Sequence, residues 1–213
     1  MRKLLITRPD HDDATFIISK WSQPIIDEAK KRGVKVLDLR GGKASREKFF
    51  QYLGNHNPKF LILNGHGEHN LIYGHKNEVL LKSEDGRRLR EKIIYSIACD
   101  AARTLGARVV QNGAECFIGY YNKFVFFYDA NKISRPLEDE KLKSFFRPTN
   151  MIPIGIVKKN LVKDAVEKAR KEFGKEILKW RCSSDLAAPF MIQALLWDKI
   201  SLRLIGNPNS RFE

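Results

Sequence analysis

The stretch LILNGHGEHN, Leu61 to Asn70, decides the fold. An apolar run within KFLILNG ends abruptly in Asn64-Gly65-His66-Gly67. Such a near-continuous apolar run suits a strand covered on both faces, as strands of parallel sheets are. A second stretch, IIYSIACDAA from Ile93 to Ala102, repeats the arrangement with Cys99 at its end. In open α/β sheets ligands bind beyond the carboxyl ends of the strands. If these two strands are parallel neighbours, His66 and Cys99 face one crevice. Their separation leaves ample room for the crossover, which takes about a dozen residues.

Working outward, Lys3–Thr7 reads as the first strand, closed by Pro9. The polar RPDHDD follows, with Asp12 or Asp13 placed to cap a helix. Ile17, Trp21, Ile25 and Ala29 recur at helical spacing, and Pro24 predicts a kink or two helical pieces. Val34–Leu39 is a second strand. KASREKFFQYLG is a helix ending near Gly54. Residues 71–81 predict a hairpin turning at Lys76–Asn77, and SEDGRRLREK a polar turn or short helix. A helix or two short helical turns follow Cys99 in AARTLGARVVQNG, and Glu115–Tyr121 is a fifth strand of the set. Leu161, Ala165, Ala169, Phe173 and Ile177 mark an amphipathic helix. A more apolar helix follows, with Ser184 as its cap and Pro189 starting or kinking it. SLRLIG is the last strand. Alternating strands and helices specify a three-layer α/β/α sandwich with a mostly parallel open sheet. Residues 123–150 resist assignment. The polar, charged part around 131–150 has the composition of a mobile or processed insertion in an otherwise single domain spanning 1–213.

The 213 residues are 43% hydrophobic and 30% charged, the balance of a globular chain. No apolar run approaches the roughly 18 residues that cross a bilayer, so no membrane partner is expected. KLLIT follows Met1 almost at once, too short and wrongly flanked for a signal peptide, which points to a cytoplasmic protein. Three cysteines, Cys99, Cys116 and Cys182, form no CxxC knuckle and imply neither a disulfide framework nor structural zinc. Cys116 and Cys182 read as buried apolar positions. The net charge of +14 raises nucleic-acid binding. The basic residues are scattered without interleaved aromatics, which disfavours it against a solvated Lys/Arg-rich face. RGGKAS, Arg40 to Ser45, follows a strand but lacks phosphate-loop spacing. No cofactor and no metal are expected. His11, His56, His69 and His75 lack ligand spacing and read as surface groups, with His69 near enough to line the cleft.

A thiolate is the nucleophile, and a neutral imidazole is matched to take the thiol proton near neutral pH. Cys99 is therefore the candidate nucleophile and His66 the acid/base. A helix starting after Cys99 would favour the thiolate through its N-terminal partial charge. The amides of Gly67 and Cys99 are the candidate oxyanion hole.

LILNGHG, then IIYSIACDAA, then GAECFIGYY resembles the caspase-like cysteine peptidases of clan CD, of the gingipain, CHAT and separase type. The closing SLRLIGNPNSRF resembles the terminal L-x-L-x-G-D-P strand and turn of gingipain and CHAT members, with Asn207 where Asp is common. The resemblance implies peptidase chemistry through His66 and Cys99, with the oxyanion held by the Gly67 and Cys99 amides. It also implies a pocket selecting one charged or polar residue before the cut, and the family includes inactive relatives. Asp12 and Asp13, with Asp100, would give an acidic pocket for Arg or Lys. Asp10, Glu115 and Asp129 are further acidic candidates, and helix capping is the competing reading for Asp12 and Asp13. Arg8 would argue the opposite, an acidic substrate residue. The expected partner is a peptide or protein substrate, with room for a regulatory partner or a homo-oligomer. Two other readings stand beside the peptidase: an inactive caspase-like binding module, and a basic nucleotide- or nucleic-acid-binding α/β protein.

Overall fold

The computed structural model describes all 213 residues. Strands β1 (Lys3–Arg8), β2 (Lys35–Arg40), β3 (Phe60–Leu63), β7 (Ile93–Ser96), β8 (Cys116–Tyr120) and β9 (Leu202–Gly206) form one sheet in the order β2-β1-β3-β7-β8-β9. Every pairing is parallel except β8 with β9. The architecture expected from the alternating elements is thus present.

Alternation along the strands explains the two layers of helices. Leu4, Ile6, Phe60, Ile62, Ile93, Tyr95, Cys116 and Ile118 enter one core, whereas Leu5, Leu61, Leu63, Ile94 and Phe117 enter the other. The first core is closed by α1 (Asp13–Trp21), α2 (Gln23–Lys31), α5 (Glu140–Val157), α6 (Val162–Arg181) and α7 (Ala188–Ser201). The second is closed mainly by α3 (Arg46–His56) and α4 (Leu105–Gln111). Covered on both faces, the inner strands β3, β7 and β8 are buried throughout and show no polar alternation, whereas the edge strand β2 (KVLDLR) alternates.

Pro24 has the expected effect. It sits in the first turn of α2, where a missing N–H costs nothing, and the chain breaks at Ser22. Ser22 closes α1 by donating Oγ–H to the Ile18 carbonyl at 2.8 Å. The predicted hairpin of residues 71–81 is larger: β4 (Gly67–Glu68), β5 (Leu71–Tyr73) and β6 (Val79–Lys82) make a three-stranded antiparallel sheet. Its turn holds Lys76 and Asn77 at positive φ, where the sequence placed it.

Four expectations fail on boundaries. α3 runs through Gly54 to His56 and stops at Asn57, in the left-handed conformation (φ 46°). Helix α4 starts at Leu105, because residues 99–104 are turns, with Asp100 itself at φ 58°. Ser184 caps nothing; α7 begins at Ala188 with Pro189 in its first turn. The segment read as a mobile insertion is core from Glu140 onward. Asp139 caps α5 by accepting the Lys141 N–H at 2.8 Å, and Leu142, Phe145 and Phe146 are buried. Phe146 stacks on Trp21 at 5.4 Å between ring centroids. Pro148 and Pro153 inside this helix hid it from a propensity reading.

Candidate active site

β3 and β7 are parallel neighbours, with Leu63 opposite Ser96, so the segments carrying His66 and Cys99 leave the same sheet edge. The Gly-His-Gly sequence has a steric cause. Gly65 has φ 147°, and a side chain there would collide with the Tyr73 carbonyl. A Cβ on Gly67 would lie 2.6 Å from the Cys99 carbonyl oxygen and 3.0 Å from the Cys99 nitrogen. The histidine loop is pressed onto the cysteine backbone, and only glycine permits that approach.

The amides at this contact are not used elsewhere. Tyr73 N–H donates to the His66 carbonyl at 2.9 Å, which makes Gly67 and Ile72 a non-hydrogen-bonded pair and leaves the Gly67 N–H outside the ladder. The Cys99 N–H donates to no protein group, whereas the flanking Ala98 and Asp100 amides bond to Ser96 Oγ and the Asn122 carbonyl. Both amides of the expected oxyanion hole are thus free of intramolecular partners.

His66 is held from the β1 side. Its Nε2 lies 2.7 Å from Oδ2 of Asp12. The other carboxylate oxygen, Oδ1, accepts the Thr15 N–H at 2.8 Å and the Thr15 hydroxyl at 2.8 Å. Burial raises the Asp12 carboxyl, but the Thr15 amide, His66 and the Thr15 hydroxyl outweigh it and hold its pKa at about 2. The carboxylate is therefore ionised and can only accept. Nε2 of His66 must carry the proton, and Nδ1 of the neutral ring keeps the lone pair.

The Cys99 side chain is partly buried. Burial raises its thiol pKa above 9.0; a hydrogen bond with the Phe124 backbone opposes this, and the Asp100 and Asp198 carboxyls add to it. The expected helix N-terminus behind the thiol is absent, since α4 starts six residues later. Desolvation at this position favours the neutral thiol over the thiolate.

The acidic candidates separate by position. Asp12 has both oxygens committed, to His66 and to the α1 cap, so it orients a ring instead of walling a pocket. Asp13 is exposed at the start of α1 and accepts the Tyr128 hydroxyl at 3.2 Å. Asp100 faces Arg103 at 3.3 Å. Asp10 contacts Arg40 at 3.4 Å, and Asp129 accepts the Asn131 N–H at 3.0 Å. Glu115 precedes β8 at the opposite sheet edge and pairs with Lys59 there. Arg8 is buried against Asp38 and the Ser19 carbonyl, and is not available to an acidic substrate.

No protein-family model matches the chain, and no curated protein does. A solved structure does: the Porphyromonas gingivalis RgpB gingipain complex of pro- and mature domains. The match has a TM-score of 0.60 at 10% identity, and covers 98% of this chain and 47% of that one. The fold is caspase-like.

On this caspase-like sheet the chain spans about half the length of the solved neighbour. No helix is long and apolar enough to cross a membrane. Three features of the crevice escaped the sequence reading. The partner of His66 is Asp12, for which the signal was present: RPDHDD leaves β1 at the edge where His66 leaves the adjacent β3. His11 and His75 are not ordinary surface groups. Their side chains are 12% and 22% exposed, and their rings meet edge to face at 5.3 Å. Asp198, wholly buried in α7, accepts the Val125 N–H at 3.0 Å and so anchors the segment that touches Cys99. Cys116 is buried as expected, with its thiol pushed up to about 12 chiefly by burial, while Cys182 is exposed.

Proposed function

We propose that the protein is a cysteine endopeptidase in which Cys99 attacks the scissile carbonyl and His66 moves the protons. The observation that carries this reading is the Asp12–His66 bond beside two free amides at the Gly67–Cys99 contact. In the first step Nδ1 of His66 takes the Cys99 proton as sulfur bonds to the carbonyl carbon. Asp12 stabilises the imidazolium that results. The Gly67 and Cys99 N–H groups receive the oxyanion, an interaction of the kind that contributes about 2.7–4 kcal/mol per donor. The imidazolium then protonates the leaving amine as the C–N bond breaks, giving a thioester. Water, deprotonated by the same ring, hydrolyses the thioester and restores the thiol.

The raised thiol pKa supports coupled deprotonation over a standing thiolate–imidazolium pair. Cleavage after Arg or Lys is part of the proposal. Its support is that Asp13 follows Asp12 on the helix that holds His66, that Asp100 follows Cys99, and that Arg8 is buried against Asp38.

The test is incubation with an Arg-based electrophilic peptide probe, followed by mass spectrometry. Labelling of Cys99 that vanishes in His66→Ala is the expected result. Silence with Arg, Lys, Asp and Asn probes alike would favour the second reading, a caspase-like binding module. The desolvated thiol, without a helix end behind it, is the observation on that side.

A further inference from the structure

Beside the crevice, one nitrogen each of His11 and His66 and one oxygen of Asp12 lie within 4.8 Å of one another. The His11 Nε2 to Asp12 Oδ2 distance is 3.4 Å and the His66 Nε2 to Asp12 Oδ2 distance is 2.7 Å. Four ligands held tetrahedrally around zinc at about 2.0–2.1 Å stand roughly 3.3–3.4 Å from each other. One spacing already has that value, the other opens by roughly 0.6–0.7 Å when an ion replaces the bridging proton, and the two imidazole nitrogens, within 4.8 Å of each other, are drawn together by the ion. Two more ring nitrogens in the cluster, His11 Nδ1 and His75 Nδ1, are buried without a hydrogen-bond partner. His75 Nδ1 lies 3.8 Å from Asp10 Oδ1, within reach of a small ring movement. The rings and carboxylates are thus gathered at one place, with His11 Nε2 also 3.2 Å from Asn77 Oδ1, and the free His11 Nδ1 is the nitrogen through which an outer-shell partner would orient that ring.

We propose that His11, Asp12 and His66 bind a transition-metal dication of the zinc class. Two imidazoles and one carboxylate suit zinc, cobalt or nickel, whereas calcium and magnesium take oxygen ligands. His11 is nearly covered, but Asp12 and His66 are 37% and 41% exposed. The ion therefore enters from solvent and keeps a fourth position for water. Cys99 is not a ligand.

The site has a consequence that rests on the peptidase reading. An ion on Nε2 of His66 moves the neutral ring's proton to Nδ1. That nitrogen is the one required to take the Cys99 proton, so the bound ion silences the dyad. It does so without touching the sulfur. The same three side chains cannot serve as a metal site and an Asp–His pair together.

Zinc binding is measured by calorimetry on the full chain, and cobalt binding by its visible absorption, neither of which needs turnover. The expected result is one ion per chain with the intense visible bands of four-coordinate cobalt. His11→Phe, which keeps a ring against His75, is expected to weaken binding at least about tenfold, because even outer-shell losses cost that much. Cys99→Ala is expected to bind as tightly as the parent. Binding that survives His11→Phe and disappears in Cys99→Ala would place the ion on the cysteine and overturn the assignment, as would no binding at millimolar zinc. Protection of Cys99 from the peptide probe by zinc, reversed by chelator, supports the silencing; undiminished labelling at saturating zinc overturns it. A chain that never labels but binds cobalt through His11 refutes the peptidase reading and leaves the metal site standing.

Discussion

Asp12 Oδ2 sits 2.7 Å from His66 Nε2 while Oδ1 of the same carboxylate accepts the Thr15 amide. One side chain therefore starts α1 and fixes the tautomer of a ring 54 residues further on. The helix cap makes the carboxylate rigid, and the rigid carboxylate holds Nε2 of the ring, leaving Nδ1 uncommitted.

The two roles of Asp12 separate by mutation. Asp12→Ser keeps a good N-cap and is expected to change stability by only a few tenths of a kcal/mol. It removes the bond to His66, a charged hydrogen bond of about 1.5–3 kcal/mol, so turnover should fall roughly 10–100-fold. Asp12→Ala should lose activity and about 1 kcal/mol of stability together. Urea midpoints beside probe-labelling rates check both.

Gly67→Ala puts a Cβ 2.6 Å from the Cys99 carbonyl oxygen. The histidine loop must retreat, at about 1–3 kcal/mol of overpacking strain, and the two amides diverge. Labelling of Cys99 should drop more than tenfold while the far-ultraviolet spectrum stays native. Unchanged labelling would remove Gly67 from the oxyanion site.

Cys99 offers a pH prediction. Because burial raises its thiol above 9.0, alkylation by a small neutral electrophile should keep rising with pH through 9, without a plateau near neutrality. Peptide mapping distinguishes it from Cys182, which is exposed, and Cys116, which is buried and should stay unlabelled. A plateau below pH 7 would instead indicate a standing thiolate.

Asp198 governs stability against pH. Its carboxyl is wholly buried, and burial raises its pKa well above 3.8, with the Val125 amide opposing. The folded state thus holds a proton that the unfolded chain releases from pH 3.8 upward. Stability falls as pH climbs through that window toward the folded pKa. Asp198→Asn keeps an oxygen for the Val125 N–H and has no proton to lose. Its urea midpoint should gain on the parent's as pH rises above 3.8, for as long as the folded carboxyl keeps its proton. Parallel curves would show that Asp198 does not titrate in that range.

Much of this was legible in the chain. Apolar runs without polar alternation announce strands covered on both sides, and Phe60–Leu63 and Ile93–Ser96 are such strands. Gly-His-Gly after one and Cys after the other marked the sheet edge, because side-chain chemistry collects where strands end. Helix α5 was illegible because Pro148 and Pro153 contradict local propensity, and only burial against Trp21 and α6 compensates for them.

The sequence by itself determined the parallel sheet and its two apolar layers, and it put His66 and Cys99 just after two strands that prove to be neighbours, since each is a matter of local periodicity and of which residue follows a strand. The tertiary structure decided what surrounds the candidate site. Which acid meets His66, that α4 starts too late to assist Cys99, and that His11 packs on His75 while contacting Asp12 are all set by loops from different strands converging at one edge. Distances across such an edge depend on the register of β1 against β3 and of β3 against β7, and no local pattern encodes them.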